Sequence, residues 1–202
     1  LRRAPQRADV RSCWVGLRPL VKPAEASDVG TKALSREHTV LVSPSGLVTV
    51  TGGKWTTYRA MAEDVLGKCM ADALLPHRPG GATLKQLLVG ANAGASNPHP
   101  LSQTSDLSAY GSEAAAVEAL PGAGRQLGGG LTEAMVRFAV RHEYARTVED
   151  VLARRVRLLF LDARLAGSLA AAVGAIVAEE TGCDPEIAAF EALAAKYLHL
   201  PA

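Results

Sequence analysis

The stretch that most constrains this chain runs from Asp162 to Thr181, mainly Ala, Leu and Val, headed by an Asp and followed by Gly182. An Asp side chain caps the free N–H groups of a first helical turn, and a Gly accepts the left-handed conformation that closes a last one. The spacing predicts one long helix. A helix this apolar must bury its surface against neighbours. The flanking sequence supplies helical segments: Leu131, Met135, Phe138 and Ala139 fall on one face, and His142, Ala145 and Arg146 carry that helix onward. Thr147-Val148-Glu149-Asp150 reads as a capping-box variant, with Asp150 where Glu is usual, restarting a helix through Leu152, Val156 and Leu159. In a continuous helix Asp150 would lie one turn from both Arg146 and Arg154. Asp184-Pro185 opens a last helix, with Asp as cap and Pro in the first position. Residues 131–202 therefore read as all-helical. The longest uncharged apolar run, 165–178, is shorter than the roughly 18–20 residues that span a bilayer. No transmembrane helix is expected, and a peripheral membrane contact stays open.

Residues 1–66 have a different texture. Cys13-Trp14-Val15-Gly16-Leu17 is a short strand candidate stopped by Pro19, and Thr39–Val42 and Leu47–Thr51 are β-branched strands about a Ser43-Pro44-Ser45-Gly46 turn. Gly52-Gly53 ends the last strand, and from Thr56 the pattern turns helical through Tyr58, Met61 and Val65, with Thr56 or Thr57 as cap. Between these regions, residues 67–130 read as a linker with short elements: loops at 76–81 and 92–100, a short strand at 84–89 and an Ala-rich helix at 112–120 stopped by Pro121. The overall reading is α+β.

Composition removes several functions. Lys and Arg number 22 against 20 Asp and Glu, a net charge of +2, which gives no basic excess for a nucleic-acid binder. Cys13, Cys69 and Cys183 are far apart, without CxxC spacing, and read as three buried thiols; the five histidines form no metal-binding pattern. Gly122, Gly124 and Gly128 resemble a dinucleotide fingerprint only superficially, because a helical segment and Pro121 precede them where a strand is required. They read as a flexible linker.

Thr51-Gly52-Gly53-Lys54-Trp55-Thr56-Thr57-Tyr58-Arg59 has a more suggestive context: strand, paired glycines, helix start. Glycine lets the backbone approach a planar ring, and the N–H groups of the helix start favour negative charge. The plainer alternative is that Gly-Gly only turns the chain and Lys54 faces solvent.

The run Gly52–Asp64 resembles the C-terminal flavin-binding segment of FAD-dependent glycerol-3-phosphate dehydrogenase. Trp14-Val15-Gly16-Leu17-Arg18-Pro19-Leu20 is similar to the family's substrate-side strand, with Leu17 in place of the commoner Val. Ser35-Arg36-Glu37-His38 is similar to a further family segment, and Glu143-Tyr144-Ala145-Arg146-Thr147 through Asp150, Arg154, Arg155, Arg157 and Phe160-Leu161-Asp162 resembles its C-terminal helical domain. The segments occur in the family's order; the middle of the chain looks shortened and Gly-rich at 121–130.

The resemblance implies a C-terminal fragment of an FAD- and substrate-binding β-sheet domain (1–66), a linker (67–130) and an all-helical C-terminal domain (131–202). It implies FAD as cofactor, with Gly52, Gly53, Lys54, Trp55, Thr56 and Thr57 beside it. Arg18, Arg36 and Lys54 would bind sn-glycerol 3-phosphate, and Arg18 or Lys54 would polarise the developing carbonyl; no catalytic base is identified. The implied reaction gives dihydroxyacetone phosphate, with hydride to FAD and electrons to quinone. The expected partner is an N-terminal FAD-binding portion with the GxGxxG turn that residues 1–202 lack, so the isolated chain is expected to be inactive. A homodimer stays open. The expected location is peripheral on the mitochondrial inner membrane in a eukaryote, or on the cytoplasmic membrane face in a bacterium. Arg154, Arg155 and Arg157 suit a solvated helix face or a domain contact better than a membrane surface. The competing reading is a non-catalytic helical interaction module or enzyme remnant.

Overall fold

The computed structural model describes residues 3–17, 37–91 and 106–201. The chain is mixed and mostly helical, with two small antiparallel sheets, in keeping with the α+β reading. It divides into two compact units, Gly16–Gln86 and a helical unit made of Leu1–Val15 with Leu87–Ala202.

In the first unit, β1 (His38–Val42) and β2 (Val48–Gly52) form a hairpin in the register His38↔Gly52, Val40↔Val50 and Val42↔Val48. The Ser-Pro-Ser-Gly turn forms as its residues dictate. Gly46 takes a positive φ of 83° and donates to the Ser43 carbonyl at 2.9 Å. A single turn of 3₁₀ helix, Trp55–Thr57, leads into α1 (Tyr58–Ala71). The strand expected at 84–89 is absent. A 3₁₀ turn at Ala82–Lys85 starts from left-handed Gly81, and its local bonds from Leu84 and Gln86 take the backbone groups a ladder would need.

The helical unit carries the core. A 3₁₀ segment (Leu107–Glu113) and α2 (Ala114–Glu118) precede a small hairpin, β3 (Gln126–Gly128) with β4 (Leu131–Thr132). This hairpin replaces the expected flexible linker. Gly128, Gly129 and Gly130 all have positive φ, and a Cβ added at Gly128 or Gly129 would come within 3.2 Å of Leu169 or Leu165. The glycines are there because the turn is pressed against a helix.

Thr132 caps α3 (Glu133–His142) by accepting from the Met135 N–H at 3.2 Å. That helix does not continue through Ala145 and Arg146. Tyr144 turns the chain with a φ of 58°, and Ala145 goes into the core. Thr147 and Asp150 do form the reciprocal box: the Asp150 N–H donates to Thr147 Oγ1 at 3.2 Å, and the Thr147 N–H to Asp150 Oδ2 at 3.1 Å. The helix they start is one wide π turn (Asp150–Arg155), ended by left-handed Arg157 before α4 (Leu158–Leu161). Asp150 receives the Arg146 backbone N–H rather than its side chain, while Arg154 reaches both Glu149 and Asp150.

The long helix is α5 (Ala163–Thr181), capped by Asp162 on the Leu165 N–H at 3.0 Å and closed by Gly182 at a φ of 69°. The last helix, α6 (Ile187–Tyr197), starts two residues later than expected. Asp184 instead accepts from the Glu186 N–H, and Glu186 is left-handed. Phe190, Leu131, Met135, Leu152, Leu158 and Leu159 are fully buried among these elements. Arg137 lies buried at one side of α3 and ties Glu133 to Glu179 and Glu180 on α5, while Arg141 holds Glu180 from outside.

Residues 13–17 are not a strand. No strand lies beside them among the described residues; Val15 and Leu17 are exposed, and it is residues 11–14 that the helical unit holds. Trp14 sits edge-on to Phe160, with centroids 5.1 Å apart, and stacks on Tyr197. The Cys13 N–H donates to the Tyr197 carbonyl at 2.7 Å, Ser12 Oγ donates to the Leu159 carbonyl at 2.8 Å, and Arg11 pairs with Asp162. The segment is a strap across α4, α5 and α6. Of the three thiols only Cys69 is buried; Cys183 is exposed because it follows the end of α5.

Candidate functional site at the β2–α1 junction

Six of the residues the sequence nominates are consecutive and lie where β2 meets α1. Gly52 and Gly53 have φ values of 77° and 80°. A Cβ at Gly52 would lie 2.7 Å from the Glu37 carbonyl oxygen, and one at Gly53 2.6 Å from Met61 Sδ and 3.1 Å from His38 Cβ. Both the backbone conformation and the space demand glycine here. The crowding comes from the chain's own atoms, so the paired glycines are explained by the packing of hairpin on helix.

That packing forces the next residues outward. Lys54 is exposed, and Trp55 is 86% exposed with its ring stacked on Tyr58, centroids 5.7 Å apart. Thr56 and Thr57 are exposed too. Neither threonine caps α1 as expected. Thr57 Oγ1 instead donates to the Lys54 carbonyl at 3.0 Å, beside the Thr57 N–H on the same oxygen. The N-terminus of α1 carries no side-chain cap and no acidic residue in its first turn. The Thr57 and Tyr58 N–H groups are taken by the Lys54 and Trp55 carbonyls, so what favours negative charge here is the helix dipole and the exposed lysine beside it. The donor set and the exposed indole fit an anionic, planar group such as a flavin, or a phosphate.

Arg18 and Arg36 lie outside the described residues. His38, which no site reading of the sequence singled out, does lie at the junction. It pairs across the hairpin with Gly52, and its Nε2 sits 2.9 Å from Asp64 Oδ2 on α1. Its position as the last residue of Ser-Arg-Glu-His, directly ahead of a strand that pairs with the Gly-Gly strand, was the available signal.

On the hairpin unit Thr83 and Arg59 hold the Glu63 carboxyl below its usual range, and further titratable clusters lie in the helical unit. Burial raises the Glu143 carboxyl above its usual range, Arg155 opposing and Glu113 adding to the shift; burial also raises the Tyr110 hydroxyl. Arg155 donates to the Glu143 carbonyl and Arg154 to carboxylates of its own turn, so both arginines serve internal contacts. No group of residues that could hold a metal ion occurs among the described residues. No described helix is long and apolar enough to cross a membrane.

Residues 81–188, just over half of the chain, match the family described as the C-terminal domain of alpha-glycerophosphate oxidase, and the chain belongs to that family. It is 37% identical over 197 residues to a probable mitochondrial glycerol-3-phosphate dehydrogenase of Caenorhabditis elegans, covering 88% of this chain and 27% of that protein. It is 34% identical to the mitochondrial glycerol-3-phosphate dehydrogenase of Schizosaccharomyces pombe, covering 88% of this chain and 35% of the relative. With glycerol-3-phosphate dehydrogenase 1 of Mycobacterium tuberculosis the identity is 40%, over 74% of this chain and 31% of the relative. The chain thus spans about three tenths of the length of these curated relatives. No solved structure matches it.

Proposed function

We infer that this chain provides the C-terminal part of an FAD-dependent glycerol-3-phosphate dehydrogenase, acting with an N-terminal FAD-binding portion of the kind its sequence lacks. The observation that carries the reading is the β2–α1 junction. Two packing-enforced glycines deliver Lys54 and an uncapped helix N-terminus outward together, in a chain whose relatives are named for this activity. Gly52, Gly53, Trp55, Thr56 and Thr57 would line the flavin, and Lys54 with Arg18 and Arg36 would hold the phosphate of sn-glycerol 3-phosphate. A phosphate dianion is best met by several cations, and the planar fork of arginine suits it. FAD, when bound, supplies the acceptor for the hydride leaving C2, with electrons passing on to quinone and dihydroxyacetone phosphate as product. Lys54 or Arg18 would polarise the oxygen at C2 as it becomes a carbonyl. The location that goes with this reading is peripheral, on the mitochondrial inner membrane or the cytoplasmic face of a bacterial one.

The test has two arms. Residues 1–202 purified alone should leave gel filtration colourless after incubation with FAD; stoichiometric retention would overturn the division of labour. In the natural gene product carrying this sequence, Arg18→Ala should lower kcat/KM by about 2 to 4 kcal/mol of transition-state stabilisation, as loss of a charged bidentate contact does. A surface pair would give at most about 1 kcal/mol. A change below about threefold would remove Arg18 from the site.

A further inference from the structure

We propose that His38 is a positioning residue that holds the Gly52–Lys54 turn in place, acting through its bond to Asp64; this rests on the reading of Lys54 as a substrate-binding group. The argument starts from the hairpin register. His38 is the residue opposite Gly52, so its side chain emerges beside the end of β2. A Cβ added at Gly53 would lie 3.1 Å from His38 Cβ on β1 and 2.6 Å from Met61 Sδ on α1, so strand and helix approach the glycine on the same side. The turn is therefore wedged between a strand and a helix, and its position depends on those two keeping their spacing. A side-chain pair spans them at this place, His38 Nε2 to Asp64 Oδ2 at 2.9 Å. The imidazole is largely covered, 23% exposed, while the carboxylate is 61% exposed. The histidine is the more enclosed partner of the pair and the aspartate the more exposed.

The same geometry argues against His38 as the proton acceptor. Its distal nitrogen faces the carboxylate, and the nitrogen left over is Nδ1, next to its own backbone. A general base needs its free nitrogen within hydrogen-bond reach of the substrate hydroxyl. A bolt needs only the contact observed. Lys54 follows the wedged glycine directly, so slack in the turn reaches its Cα undiminished, and small displacements of a binding group are costly to affinity.

The experiment uses the natural gene product and measures binding of dihydroxyacetone phosphate by calorimetry, without turnover, alongside steady-state kinetics and thermal melting. Lys54→Ala is the reference arm. His38→Ala and Asp64→Ala should each raise the dissociation constant on the order of fivefold, and the double variant should be no worse than either single, as for residues acting as one unit. His38→Gln, which keeps an N–H at the position of Nε2, should restore binding to within about twofold of wild type. His38→Gln also covers the case in which His38→Ala fails to fold. If Lys54→Ala weakens binding while His38→Ala, melting as wild type, leaves it unchanged, the bolt is overturned and the reading of Lys54 stands. If Lys54→Ala itself leaves binding unchanged, the reading of Lys54 fails and the proposal with it. A fall in kcat of about a hundredfold in both His38 variants, with binding intact and the acidic limb of the pH profile lost, would make His38 the base and overturn the positioning role.

Discussion

The two units differ most in what they bury. The helical unit closes over Phe190, Leu131, Met135, Leu152, Leu158 and Leu159, with Arg137 inside its edge neutralised by three carboxylates. The hairpin unit buries Cys69 and no other described residue, and it leaves Leu41, Leu47, Val50, Trp55, Tyr58 and Leu66 exposed. A two-stranded sheet on one helix cannot enclose these side chains, and such a pair is marginal by itself. Apolar surface on this scale belongs against another body. The residues nominated for chemistry thus come from the unit that cannot make its own core, and the self-sufficient unit carries none of the six at the junction.

The contrast can be broken most severely at Phe190. Phe190→Ala should cost the chain about 3 to 5 kcal/mol by opening a cavity, whereas Leu41→Ala should change stability by no more than about 0.5 kcal/mol. Urea titration followed by helical circular dichroism checks both. A large loss for Leu41→Ala would mean that the hairpin has a core of its own.

The next effect is a pH dependence centred on Glu180 in the helical unit. Arg141, with Arg137 behind it, holds the Glu180 carboxyl at about 2, against an ordinary 4.5. A carboxylate whose folded pKa is depressed adds stability above its unfolded pKa, and that contribution is lost as pH falls through the folded value. Melting temperature should therefore decline between pH 4.5 and 2, and Glu180→Gln should flatten that decline while lowering the plateau above it. An unchanged slope in the variant would assign the acid sensitivity to other carboxylates.

The smallest effect concerns the strap. Trp14→Ala removes an edge contact to Phe160 and a stack on Tyr197, and should cost about 1 to 2 kcal/mol, since each aromatic pair contributes about 0.5 to 1.5 kcal/mol beyond its buried area. Amide exchange should then quicken in residues 11–14 and at the end of α6, and not in β1 or β2. Exchange unchanged at both places would show that the strap is held by its backbone bonds alone.

What was legible in the sequence follows how local each signal is. The hairpin, its Ser-Pro-Ser-Gly turn, α1, and α5 with Asp162 and Gly182 at its ends are set by residues within a few positions of one another, and all were readable. The failures lie where distant atoms decide. Trp14 has the β-branched neighbour and apolar flank of a strand, yet its partners are Phe160 and Tyr197. The glycines at 128–130 have the composition of a linker, and only Leu165, Leu158 and Leu169 reveal why nothing larger fits. The break at Arg157 lies inside a perfectly helical periodicity, because one π turn shifts the phase without changing the residue types. At the junction, Gly52 to Thr57 were legible as a motif, while the contact of His38 with Asp64 needed the fold of strand on helix to exist first.

The strap also sets an order of events during synthesis. Cys13 and Trp14 leave the ribosome roughly 180 residues before the Tyr197 that receives them, and at about 5 to 20 residues per second that is a wait of roughly 10 to 40 seconds. Through that interval an indole and a row of unpaired amides travel with the nascent chain, and the helical unit cannot be completed until its last helix has emerged. A premature stop anywhere in α6 would therefore strand both edges of the unit at once, leaving Cys13 and Trp14 without the Tyr197 that receives them.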